Sequence, residues 1–115
     1  MTSQTRPLDY WPSGDSWTVA FLDAAAIEGL GLDFEADADD LDSYRLAAVA
    51  DAEIGQFWIF RRDNSAELSW ELVVDAAVRR DDALSALWRE LRLDTRSMPW
   101  INPLTALPRP DLAMR

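Results

Sequence analysis

The sequence predicts an α+β fold: a small single domain whose short antiparallel sheet, built on a hairpin over about 57–74, packs against one or two helices, about 82–93 and 23–30. Three observations carry this expectation. Phe57-Trp58-Ile59-Phe60 is apolar on both faces, as in a central strand. Leu68, Trp70, Leu72 and Val74 alternate with Glu67, Ser69 and Glu71, as in a half-exposed strand. Leu84, Leu87, Trp88 and Leu91 recur at i, i+3, i+4 and i+7, the spacing of one helix face. The chain has 115 residues, of which 49% are hydrophobic, enough for one core and too few for two.

In chain order, residues 1–16 read as an irregular N-terminal segment, punctuated by Pro7, Pro12 and Gly14. Segment 17–30 suits two structures. Trp17 to Leu22 is aromatic and β-branched enough for a strand, while Asp15 or Ser16 is placed to cap a helix reaching Gly29 or Gly31. Helix is favoured from Ala24 onward. Segment 44–54 is open in the same way, with Leu46, Val49 and Ala50 at helical spacing and Tyr44, Leu46 and Ala48 at strand spacing. Arg62-Asp63-Asn64-Ser65 supplies turn residues between the two clear strands, which makes them an antiparallel hairpin. Asp81 or Asp82 is the expected cap of the last helix, and Arg89 and Arg92 complement its dipole. The domain is expected over 17–94. Residues 95–115, with Pro99, Pro103, Pro108 and Pro110, form an extended tail whose Met98, Trp100, Ile101, Leu104 and Leu107 pack on the body or on a partner.

Charge is distributed unevenly. The net charge is −10, and residues 1–60 hold all of it, with twelve acids and two arginines against nine of each in 61–115. The centre is Asp33, Glu35, Asp37, Asp39, Asp40 and Asp42, six acids in ten residues without a base. An EF-hand does not fit there: counted from Asp33 or Asp37, no glycine falls at the sixth position and no glutamate at the twelfth. No metal and no cofactor is expected. Like charges held this close repel one another, and a basic partner gives a reason to keep them.

Six tryptophans stand out in a chain of this size. Trp58, Trp70 and Trp88 fall on periodic apolar faces and are expected in the core. Trp11, Trp17 and Trp100 lie in or beside loop and Pro-rich segments, where they either cap exposed ends of the small core or serve a partner surface, with Trp11 and Trp100 as its candidate anchors. Arg61-Arg62 and Arg79-Arg80 are expected to pair with neighbouring acids.

Much chemistry is excluded. Histidine, cysteine and lysine are all absent, which removes Ser–His and Cys–His pairs, disulfides, thiolate metal sites and Schiff bases. No GxSxG, GxGxxG or P-loop pattern occurs. The negative field argues against nucleic acid, and no apolar run approaches a membrane span. With no basic, apolar signal at the N-terminus, cytoplasmic residence is expected.

These features lead to an acidic, non-enzymatic protein-binding module. Its partner is expected to be a basic protein, such as a toxin or nuclease domain, covered at its active site or substrate-binding surface. Immunity proteins and antitoxins share this character, though no stretch matches a family motif and no residue role is carried over. The alternatives are a secretion chaperone or subunit of a larger assembly, a DNA-mimic inhibitor, and a small enzyme that works with carboxylates in a deep pocket. Oligomeric state is left open.

Overall fold

Side chains alternate across an extended strand, so the pairing register decides which residues share a face. The computed structural model of the chain describes residues 15–38, 43–63 and 69–107. The elements run β1 Ser16–Leu22, α1 Ala24–Glu28, β2 Glu35–Ala38, β3 Ser43–Asp51, β4 Gly55–Arg62, β5 Trp70–Asp75, α2 Arg80–Leu91, a 3₁₀ turn at Thr95–Ser97, and β6 Trp100–Ile101. The strands form one six-stranded sheet in the order β2-β3-β4-β5-β1-β6, antiparallel at every pairing.

The expected hairpin is β4–β5, with Ile59 opposite Leu72 and Phe60 opposite Glu71. The two open segments resolve in favour of strands, and the sheet is larger than the short one expected. Segment 17–30 divides into strand β1 and the five-residue helix α1, so Asp15 and Ser16 open a strand rather than cap a helix. β1 carries one extra residue: Thr18 pairs with Val73 and Ala20 with Leu72. That irregularity lets Val19 and Ala20, adjacent in sequence, both be fully buried. Segment 43–51 is β3, which turns tightly into β4. Its last residue, Asp51, accepts the N–H groups of Glu53 and Ile54 at 2.9 and 3.0 Å, and Gly55 takes φ +90° to close the turn.

One face of the sheet holds the main core: Trp17, Val19 and Leu22 from β1, Phe57 and Ile59 from β4, and Trp70, Leu72 and Val74 from β5. Ile27 of α1 and Ala83, Ala86 and Leu87 of α2 belong to the same buried cluster. A smaller cluster occupies the opposite face, where Leu46, Trp58, Phe60 and Val73 are buried with Tyr44 and Ala48 beside them.

Helix α2 departs from the sequence expectation at both ends. Its N-cap is Arg79, with extended backbone and no side-chain cap, and Asp81 and Asp82 lie in the first turn where the helix dipole favours acids. Arg92 ends it in the left-handed conformation, φ 58°. Beyond it the chain stays on the body. Met98 is buried, β6 pairs with β1, and Asn102 clamps β1 from its N–H to the Val19 carbonyl (2.8 Å) and from its side-chain amide to that of Thr18 (3.0 Å). Part of the Pro-rich segment thus contributes an edge strand.

Candidate partner-binding surface

Between β1 and β2 the chain crosses the sheet from its fifth position to its first, four strand intervals or about 19 Å. Alternation explains how this crossover is held. Leu30, Leu32 and Phe34 pack on the main core, with the Phe34 ring stacked on Trp70 at 4.4 Å. The residues between them face outward: Gly31 turns the chain at φ +70°, and Asp33 and Glu35 are exposed. Asp23 and Glu28, at the two ends of α1, are exposed as well. Among the described residues Asp23, Glu28, Asp33 and Glu35 form no ion pair, whereas Asp63, Asp81 and Asp94 of the second half each pair with an arginine. The result is a band of uncompensated carboxylates along one end of the sheet.

The other site residues expected from sequence fall as follows. Glu35 and Asp37 stand on edge strand β2, in register with Leu46 and Tyr44. Asp39, Asp40, Asp42 and Trp11 lie outside the described residues. Trp100 is on β6, 39% exposed, with its ring 4.9 Å from that of Phe21. β6 and β2 are the two opposite edges of the sheet, five intervals or about 24 Å apart. Trp100 and the acidic strand therefore do not form one compact patch. Asp23 and Glu28 extend the band back toward the Trp100 edge, since the Asp23 N–H is bonded to the Ser97 carbonyl at 2.8 Å. Sequence reasoning missed these two because they stand apart from the dense run, and only the crossover brings them into line with it. Trp17, open between a cap of the core and a partner surface, is 7% exposed, since its position on β1 faces the main core.

Beside α1, Asp23, Ala24, Ala25, Glu28, Arg61 and Ser69 line a hollow of about 610 Å³. Arg61 was expected to pair with an acid. Its guanidinium lies over the Trp70 ring at 5.7 Å instead, and among the described residues its Nε and the Trp70 indole N–H have no hydrogen-bond partner.

At the other end of the sheet, Asp51 is a buried carboxylate whose side chain has no exposed surface. Arg89 of α2 grips it with two parallel bonds, Nε to Oδ2 at 3.1 Å and Nη2 to Oδ1 at 2.9 Å, and reaches Glu53 at 2.7 Å through Nη1. Burial pushes the Asp51 carboxyl up. The hydrogen bonds from Arg89, the Ile54 and Glu53 amides and Glu90 together outweigh it and bring the pKa down to about 2. Glu90 moves the other way, raised by burial, by its bond to Asp51 and by that residue's charge. A neighbouring hollow of about 270 Å³ is lined by Glu53, Ile54, Asp82, Ser85 and Arg89 but not by Asp51. This carboxylate holds the helix to the β3–β4 turn. Among the described residues no group of acids is arranged to hold a metal ion.

The outer face of α2 corrects another expectation. Trp88, read from periodicity as core, is 47% exposed. The buried stripe is Ala83, Ala86 and Leu87, whose small members let the helix sit close to the sheet; Trp88 falls about 100° around from Leu87, outside that stripe. The Arg92 guanidinium lies 5.4 Å from its ring. Alongside, Leu84, Trp88, Leu93 and Met98 wall a mostly apolar groove of about 530 Å³.

These features define a sheet-rich α+β domain with an uncompensated acidic band and a separate aromatic helix face. Comparisons with protein-family models, curated proteins and solved structures returned no match. Among the described residues no helix is long and apolar enough to cross a membrane.

Proposed function

We propose that this chain is an acidic, non-enzymatic protein-binding module that neutralises a bacterial toxin by covering its basic active-site or substrate-binding surface, as immunity proteins and antitoxins do. The observation that carries the reading is the acidic band: Asp23, Glu28, Asp33 and Glu35 are exposed and without ion pairs, and the chain continues from them into Asp37. Acids that served only solubility would gain from arginine neighbours, as Asp63 and Asp94 do. Left uncompensated, they repel one another, and a cationic surface relieves that repulsion on docking. Such a field speeds encounter and sets orientation, while aromatic contacts set the rate of release. Trp100, beside the start of the band, is the exposed aromatic in position to contribute to the latter.

The test uses a partner recovered from the lysate of the organism that encodes the chain. Replacing Asp33, Asp37, Asp39, Asp40 and Asp42 with Asn and Glu35 with Gln is expected to slow association by about tenfold or more and to flatten its salt dependence. Unchanged association kinetics would remove the band from the interface.

A further inference from the structure

Apart from exposed Glu90, which lies on the other side, the solvent-facing side of α2 and its C-cap reads, in order around the helix axis, Trp88, Asp81, Arg92, Ser85, Arg89 and Asp82. Its two acids are in the first turn and its two arginines at the end, with Ser85 and Trp88 between them. This pattern is its own complement when reversed. If a second helix is laid antiparallel across it, with a two-fold axis near residue 86, Asp81 falls opposite Arg92 of the second copy. Asp82 falls opposite Arg89, and Ser85 opposite Trp88. We propose that this face binds a second copy of the chain, forming an isologous dimer in which each Trp88 is covered over the small Ser85 of the other copy. This proposal is independent of the toxin-binding reading, which uses the acidic band at another part of the molecule.

Three observations support that occupant over others. The helix dipole accounts for acids at the start of α2 and arginines at its end, but not for a tryptophan 47% exposed at the middle of the same face. The apolar groove of Leu84, Leu93 and Met98 flanks that tryptophan and enlarges the surface a second copy would cover. Charge also permits the approach. The excess of ten negative charges belongs to residues 1–60, while the α2 face carries two acids and two arginines and sums to zero. Arg92 is available for the contact, since among the described residues it stacks on Trp88 and has no carboxylate partner. Arg89 is engaged by Asp51 and Glu53, and Asp81 by the neighbouring Arg80 at 3.0 Å, but the Asp81 side chain is still 74% exposed, so Asp81 and Arg92 are the pair to test.

The experiment is sedimentation of the full chain over a concentration series reaching on the order of 100 µM, the range in which a small interface becomes populated. The wild-type chain is expected to show a monomer–dimer equilibrium. Trp88→Ala, Asp81→Arg and Arg92→Asp are each expected to weaken the dimer by about tenfold or more. All three are exposed positions, and thermal unfolding of dilute samples confirms that each variant folds. The decisive sample mixes Asp81→Arg with Arg92→Asp chains: a heterodimer of the two regains both opposite-charge pairs, so the mixture should dimerise more strongly than either variant alone. A wild-type chain that stays monomeric, a dimer untouched by all three substitutions, or a mixture without recovery overturns the proposal.

Discussion

At the scale of single residues, the Asp51–Arg89 pair decides how α2 is held. A buried carboxylate is tolerated only when its charge is compensated, and here a bidentate guanidinium and two turn amides supply that. Arg89→Met should strand the charge and lower stability by about 2–4 kcal/mol in denaturant titration. Arg89→Lys should recover only part of the loss, because an ammonium cannot make both parallel bonds. The pH dependence follows from the direction of each shift. Asp51 titrates near 2 when folded, below the ordinary 3.8, so its stabilisation is complete above about pH 4 and is lost as pH falls through 2. Glu90 is raised, so its charged form costs stability at neutral pH, and that cost fades as acid protonates it. Glu90→Gln sets an uncharged amide donor toward Asp51 in place of the carboxylate. It should stabilise the protein at pH 7 and lose that advantage on acidification below about pH 4, the reverse of what removal of a favourable carboxylate would produce. None of this was readable in the sequence, where Asp51 is one acid among twenty-one; its role arises from a turn and a helix brought together across 38 residues.

At the scale of elements, the hairpin and the long helix were readable because their apolar patterns span several residues: β4 is apolar on both faces, β5 alternates, and the helix repeats every three to four residues. The segments 17–22 and 43–51 were ambiguous because short apolar runs satisfy helix and strand periods equally, and pairing to neighbours decides between them. Trp88 shows the limit of periodicity, since the same spacing that placed it on an apolar face shifts by one position when alanines form the contact. The C-terminal strand was the least visible element. Two residues, Trp100 and Ile101, carry no period, and their place is set by Asn102 bonding to β1 and by the Arg80 N–H bonding to the Thr105 carbonyl. Asn102→Ala should therefore cost about 1–2 kcal/mol. Ending the chain after Thr95 removes buried Met98 together with β6 and should lower stability by about 3–5 kcal/mol, seen as a clear fall in the thermal midpoint.

At the scale of the whole molecule, the uneven charge was visible in the sequence, and the structure adds its geometry. The apolar partners Leu30, Leu32 and Phe34 anchor the crossover, and the acids between and before them form a band that runs from the neighbourhood of β6 to edge strand β2. Under the proposed function, this band meets a basic protein. The most direct measurement is capture from the lysate of the encoding organism on the tagged full chain, washed at low and high salt and run beside the variant with Asp33, Asp37, Asp39, Asp40 and Asp42 as Asn and Glu35 as Gln. The captured protein is then assayed for activity with and without the chain. One basic protein is expected, retained in stoichiometric amount at low salt, depleted by high salt and by the variant, and inhibited when bound. No retained protein, or one held equally well by the variant, would contradict it.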